Sequence, residues 1–451
     1  MAVHLITQAG RGGPKVRLYV YNARMTRSAW RMILLASLGG TLEYYDFVIF
    51  GIFAPQIGRA FFPSQDPLVS LMVTFTTFAI GYLARPVGGL VLGRLGDKFG
   101  RRGVFLASIF ITSAATLGIG IVPTYAAWGI GASLIIVLLR LTQGFCLGGE
   151  LPGAITYVVE SAPPMAPFVC SVVFGCVTLG VALGTTIALI VGNVLTPADA
   201  AVYGWRIAFV VGGLLGLASF WLRRSFEESP EFAELKRLEA ASKEPIGELL
   251  RTHPGQIVVG IAAQAVTAVF AGLFFAYMPA YLTAVSKYDA STAVYAQTYG
   301  VVLHAMLIVA VGWLAGRYPP HRLLRIGAVI LALGAYPFYA ALSAHTVNII
   351  VLMTIAAIAG ALVNGTFAFV TADLFPTRIR FSGVAVVQNI SQTAFGGTAP
   401  LVATALVRNL QSPVAPALVV IACGVVTCAG SFYAARQAGQ VRIRSEAAAL
   451  P

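Results

Sequence analysis

Residues 42–50 read LEYYDFVIF. Two carboxylates, Glu43 and Asp46, stand in an apolar run where neither a soluble core nor a lipid-facing surface tolerates an ionised acid. Three residues apart, they share one face of a helix. That face must therefore be turned away from lipid, into a bundle of other helices. The composition of the chain supplies them: 58% of its 451 residues are hydrophobic and only 10% are charged, where a globular protein has roughly 25% charged residues. Apolar runs of about 20 residues, each long enough to cross a hydrocarbon core, recur from residue 30 to residue 435, and twelve can be counted. Continuous hydrophobicity without strict alternation excludes a barrel and predicts helices, whose backbone groups are satisfied within each segment.

The net charge of +13 invites a nucleic-acid reading, but the distribution of the basic residues removes it. Of 30 Lys and Arg, 24 fall in the N-terminal segment, the alternate loops and the C-terminal tail on one side. The opposite loops hold Arg59, Lys287 and Arg408. This is the positive-inside bias, and it predicts a multi-pass protein of the cell inner membrane with both termini cytoplasmic. Residues 1–29 are basic and lack the apolar core of a cleavable signal. All five cysteines fall in apolar runs with no metal-ligand spacing, so neither a metal nor a cofactor is expected.

Residues 223–255, RRSFEESPEFAELKRLEAASKEPIGELLRTHPG, are charged and polar. They read as a cytoplasmic linker between a six-helix bundle over 30–222 and a second over 256–435, followed by a cytoplasmic tail over 436–451. The halves are faintly alike. GRLGDKFGRR at 93–102 has a counterpart in GWLAGRYPPHR at 312–322, and Glu160-Ser-Ala-Pro163 has one in Asp373-Leu-Phe-Pro376, at closely similar separations. Two such matches imply a duplicated unit.

GRLGDKFGRR resembles the cytoplasmic loop-two signature of the major facilitator superfamily. LEYYDFVIFGIFAPQIGRAFFP, RLTQGFCLGGELPGAITYVVESAP, RRSFEESPEF and DLFPTRIRFSGVAVVQNISQTAFGGTAP resemble its metabolite:proton symporter family, which carries citrate, 2-oxoglutarate, shikimate, or proline and betaine. The chain is also similar to sugar porters through Arg140, Glu160 and the EESP motif, without their closing Pro-Glu-Thr signature. The Gly-Pro pattern of drug antiporters is missing from the fifth run. The resemblance implies an all-α integral membrane protein with twelve transmembrane helices in two pseudo-symmetric six-helix bundles. It implies proton-coupled uptake of an organic acid or a zwitterion, with a sugar porter or an efflux antiporter as the alternatives. No enzyme chemistry is implied, and GRLGDKFGRR lacks the Lys-Ser/Thr ending of a phosphate-binding loop.

By that resemblance Asp46 and Arg140 form the proton-coupling pair, with Glu43 joining them. Glu150 is a second protonatable site or a packing hydrogen-bonder. An acid whose arginine partner moves away between conformations changes its affinity for protons, which couples proton entry to substrate entry. Gln143, Gly144 and Gly148 lie on nearby faces, the glycines allowing another helix close. Carriers of this type place substrate midway across the membrane, and the candidates there are Tyr44, Tyr45, Gln143, Gln264, Tyr277, Asn364, Gln388 and Asn389. Arg85, before Pro86, either binds an anionic substrate or snorkels to the interface. A conformational latch is expected from Gly93, Asp97, Gly100, Arg101, Arg102, Glu160, Asp373, Arg378 and Arg380. His304 and the aromatic run Phe274, Phe275, Tyr277 and Tyr281 read as packing. The expected partners are a small-molecule substrate, protons and the lipid bilayer, with no nucleic acid, and a monomer is expected.

Overall fold

The computed structural model describes residues 27–99, 101–148, 150–161, 165–226 and 246–448. Every regular element among them is helical. In the first half of the chain these are α1 (Arg27–Ile52), α2 (Pro67–Phe99), α3 (Arg101–Ile121), α4 (Ile130–Cys146), α5 (Glu150–Ser161), α6 (Ala166–Val194) and α7 (Trp205–Phe226). The second half holds α8 (Pro254–Phe270), α9 (Ala290–Ala315), α10 (Pro320–Ala344), α11 (Ile349–Asn364), α12 (Phe367–Asp373), α13 (Arg380–Ser391), α14 (Ala399–Leu410) and α15 (Pro416–Ala448). Among the described residues nine helical runs are long and apolar enough to cross a membrane, and two shorter apolar helices, Leu106–Ile121 and Ile130–Cys146, accompany them.

Several boundaries differ from the sequence reading. The GRLGDKFGRR segment was expected as a glycine-rich turn, but α2 continues to Phe99 and α3 begins at Arg101. Its glycines weaken helix propensity without breaking the backbone hydrogen bonds. The apolar stretch over 130–161 is divided into α4 and α5, and α15 extends beyond the expected end at residue 435. Regular α-helix also gives way to wider π turns over Ala271–Tyr277, Tyr281–Val285 and Gln392–Gly397. A π turn offsets the side chains that follow it and is common at working sites, and hydropathy cannot detect it.

Close helix crossings set the shape. Helices α2 and α4 run together because Gly144 has no side chain: a Cβ there would overlap the carbonyl oxygen of Gly81. Helix α6 packs along α1 and also along α9 of the second half, while α2 packs on α14 and on the π turn Gln392–Gly397. These two seams join the halves. The molecule has two ends, one carrying Glu160 at the close of α5 and the other carrying Asp66 before α2.

Filling the α2/α4 crossing should be far more damaging than filling open space. Gly144→Val is expected to lower the thermal midpoint of the detergent-solubilised protein by several degrees or prevent folding, as overpacking costs about 1–3 kcal/mol or more. Gly334→Ala, where an added Cβ meets nothing within 4 Å, should leave the midpoint unchanged or higher. Equal midpoints for the two variants would refute the close crossing.

Candidate functional site

Helix α1 carries both opening carboxylates inward, Glu43 and Asp46 being each only 5% exposed. Their partners differ from the expected pairing. Glu43 is held by Arg85 of α2, with Nη2 of the arginine 2.5 Å from Oε1 of the acid. The same guanidinium donates to the carbonyl of Leu147 at 3.2 Å, where α4 has just ended. Arg85, read as a substrate or interface residue, is thus engaged as a buried counter-charge. Its length explains this, since it spans from α2 to the chain break after α4.

Asp46 does not touch Arg140. Arg140 Nη1 donates to Gln143 Oε1 at 3.0 Å, Gln143 Nε2 donates to the Thr116 hydroxyl at 2.8 Å, and that hydroxyl donates to Asp46 Oδ2 at 3.2 Å. A glutamine and a threonine therefore separate the acid from the arginine. Asp46 Oδ1 is buried without a hydrogen-bond partner, and so are Nε and Nη2 of Arg140. The arginine is fully buried, its guanidinium carbon lying 4.2 Å from the ring centre of Phe47 and 4.4 Å from that of Phe50. Such cation–π contacts contribute about 0.5–2 kcal/mol each.

The remaining candidates are spread through the interior. The Tyr45 hydroxyl is spent on the Ala208 carbonyl at 2.7 Å, within the first half. Tyr44 packs edge-on against Phe174, which in turn meets Phe367 of the second half. Tyr277 meets Phe75 across the halves, with ring centres 5.5 Å apart. Gln264 donates to the Thr371 hydroxyl, and Asn389 of the second half donates to the Gly148 carbonyl of the first at 2.8 Å. Gln388 is 3% exposed with neither amide atom hydrogen-bonded. His304 lies between the Ala357 carbonyl and the Asn364 amide, beside Phe270, Phe274 and Phe275. One ring nitrogen donates and the other accepts there, which is what a packed neutral imidazole needs.

Ion pairs bridge the halves at both ends. Arg380 Nη1 lies 3.1 Å from Glu160 Oε1, so these two latch candidates are neighbours. Asp373 pairs instead with His321 of its own half, at 3.4 Å. At the other end Arg408 Nε donates to Asp66 Oδ2 at 3.0 Å, a contact the sequence reading missed because nothing in the loop composition aligns them. Gly100 lies outside the described residues, Gly93 is placed only as a residue of α2, and the side chains of Asp97, Arg101, Arg102, Glu150 and Arg378 lie outside the description. Sequence reasoning also missed Thr116, Phe47, Phe78 and Tyr82. The hydroxyls at 108, 112 and 116, spaced by four on one face of α3, were the available signal.

Buried acids and arginines inside a bundle of apolar helices, broken where the halves meet, are the features of a membrane carrier. The profile of the Major Facilitator Superfamily matches residues 36–400. The chain belongs to the Major Facilitator Superfamily. It is a multi-pass membrane transport protein acting on a small molecule, and not an enzyme. It is 30% identical over 420 residues to the proline/betaine transporter of Salmonella typhimurium (strain LT2), covering 88% of this chain and 82% of that one. It is 32% identical over 414 residues to a putative proline/betaine transporter of Staphylococcus aureus (strain COL), covering 89% and 87%. Its fold is similar to a crystal structure of a D-xylose-proton symporter, with a TM-score of 0.69 at 18% identity over 90% of this chain and 97% of that one. It is also similar to a bacterial homolog of the human lysosomal transporter Spinster, with a TM-score of 0.61 at 16% identity over 92% and 98%.

Removing Arg85 strands a buried carboxylate. Arg85→Ala is expected to destabilise the protein by about 3–5 kcal/mol, and Arg85→Met with Glu43→Gln to recover most of that loss. Thermal unfolding of both variants checks it; equal losses would mean the pair is not coupled. At the far end, the Arg408 guanidinium beside Asp66 holds that carboxyl below the usual carboxylate range. Its contribution to closure is therefore complete above that range and lost as pH falls through the lowered value. Spin labels flanking Asp66 and Arg408 should move apart in Asp66→Asn and in wild type on strong acidification, and not at neutral pH.

Proposed function

We propose that this chain takes up a small zwitterionic metabolite together with protons, by alternating access between two six-helix bundles. The bundles comprise residues 30–222 and 256–435, joined by a cytoplasmic linker over 223–255, and together supply twelve spans. The protein lies in the cell inner membrane with both termini cytoplasmic, so that the Glu160 end faces the cytoplasm and the Asp66 end faces outward. The arginine bias of the loops supports this orientation.

The observation that carries the reading is the chain Asp46–Thr116–Gln143–Arg140. An acid tied to its counter-charge only through two neutral side chains can gain or lose a proton without breaking a direct ion pair. A substrate carboxylate reaching Arg140 would compete with Gln143 and pull on that chain, so substrate and proton feel one another. The unbonded Nε and Nη2 of Arg140 offer an edge for one carboxylate. Phe47, Phe78 and Tyr82 form a ring cluster beside it, and Phe75 and Tyr277 adjoin the cluster. Such rings suit an ammonium group.

One carboxylate site and one aromatic site make a zwitterion a better fit than a di- or tricarboxylate, because Arg85 is committed to Glu43. The names of the proline/betaine transporters to which the chain is similar point the same way. A membrane potential adds about 2.3 kcal/mol per charge per 100 mV, enough for useful accumulation with one proton.

Purified protein in proteoliposomes with an imposed pH gradient should accumulate betaine or proline, and not citrate or xylose. Asp46→Asn should abolish that accumulation while sparing counterflow exchange. Accumulation of citrate or xylose alone would overturn the substrate assignment, and wild-type accumulation by Asp46→Asn would overturn the coupling role.

A further inference from the structure

A cavity of about 40 Å³ lies inside the first half of the chain, lined by Glu43, Asp46, Ser108, Thr112, Cys146 and Ser219 among others. By volume it has room for about two or three waters. It is built from α1, α3, α7 and the end of α4. Helices α3 and α7 pack chiefly on other first-half helices, so the cavity stands apart from the seams where the halves meet. Its walls are small for a reason that can be read residue by residue. Helix α7 presents Gly212, Gly216 and Ser219 towards it. A Cβ at Gly212 would lie 2.8 Å from Asp46 Oδ1, and one at Gly216 would overlap the Ser113 hydroxyl. Opposite, α3 presents Ser108, Thr112 and Thr116 at intervals of four, a hydroxyl stripe about 12 Å long that ends on Asp46.

The stripe runs from Asp46 towards Arg101, the start of α3, and α7 runs the same way towards its close at Phe226. That is the end assigned above to the cytoplasm. Asp46 is buried, and its Oδ1 has no protein partner. The titratable groups around it are Glu43 and Tyr45 on its own helix and Arg140 and Cys146 on α4, with Arg85 of α2 behind Glu43. Helices α3 and α7 contribute only hydroxyl, glycine and apolar side chains to the cavity. The side chain of Glu150, which opens α5, lies outside the described residues.

We propose that this cavity is a water-filled conduit through which Asp46 releases its proton to the cytoplasm, separate from the path the substrate takes between the halves. The inference rests on the coupling role proposed for Asp46. On release the Oδ1–H bond breaks, a cavity water takes the proton, and the electron pair stays on the carboxylate. The hydroxyls of Ser108, Thr112 and Ser219 then hand the proton along through water. A separate exit lets the acid discharge without first expelling substrate from the interface.

The test separates exchange from net uptake. Counterflow exchange needs only the loaded, protonated carrier to move back and forth, whereas accumulation needs proton release. Ser108→Leu with Ser219→Leu fills the cavity. It should leave counterflow within about twofold of wild type and slow pH-gradient-driven accumulation at least about tenfold, equivalent to ~1.4 kcal/mol. Accumulation at the wild-type rate, or an equal fall in both activities, would overturn the conduit. If the filled variant does not fold, Cys146 decides, in a protein whose other four cysteines are replaced by serine. The membrane-impermeant cation 2-(trimethylammonium)ethyl methanethiosulfonate applied from the cytoplasmic side should modify it and slow accumulation while exchange persists. No modification from that side, or complete modification with unchanged accumulation, would discard the proposal. Failure of Asp46→Asn to lose accumulation would instead remove the coupling role itself, so the two readings fail by different results.

Discussion

Two acids and two arginines share a space from which lipid is excluded, and each must be held by something other than bulk solvent. That requirement determines how α1, α2, α3 and α4 are arranged. Arg85 bridges Glu43 of α1 and the Leu147 carbonyl at the end of α4, and α2 lies close against α4 because Gly88 and Gly144 carry no side chains. Thr116 and Gln143 occupy the gap between Asp46 and Arg140, so the second acid is satisfied at one oxygen and left open at the other. The two carboxylates, three residues apart on one helix, therefore do different work. Glu43 is neutralised in place, while Asp46 meets no direct counter-charge and keeps one oxygen without a partner.

The same economy of contact recurs between the halves. Among the described residues one cross-half ion pair lies at each end, Glu160 with Arg380 and Asp66 with Arg408. Hydrogen bonds from Asn389 to Gly148 and from Thr393 to Tyr82 join the halves between them. The Asp66–Arg408 pair is exposed and weak because water and salt screen it, while the Glu160–Arg380 pair is partly shielded. Weakness suits a carrier, since each end must open in turn without a large barrier. The breaks after α4 and α11 and the π turns in the second half supply backbone carbonyls and offset side chains inside the protein. Irregular backbone is tolerated at membrane depth only in such places.

Substrate preference follows from which charges are already committed. Arg85 is committed through Nη2 to Glu43 and the Leu147 carbonyl, while Arg140 makes no direct ion pair and keeps an unbonded edge within a cluster of phenyl rings. One open guanidinium edge beside aromatic faces is a pattern of opposite charges at short range, and a zwitterion mirrors it.

Hydropathy, loop arginines and the two carboxylates were enough to read a multi-pass helical membrane protein with a polar interior, because transfer out of water and the cost of a buried charge act residue by residue; that it is a carrier came from the resemblance of its motifs. They also singled out residues that the structure engages in buried or cross-half polar contacts: Glu43, Asp46, Arg85, Arg140, Gln143, Glu160 and Arg380 all stood out as polar groups in or beside apolar runs. Their partners were not legible. Whether Asp46 meets Arg140 or Thr116 depends on how α1, α3 and α4 are rotated and how deeply they cross, and a rotation of one residue reassigns every contact. The pairing of Asp66 with Arg408 joins residues 342 apart, and no local pattern encodes such a meeting. The aromatic cluster around Arg140 was hidden for a related reason: in a chain this apolar, phenylalanines at helical spacing are ordinary. Only the packed structure shows that three of them face a charge.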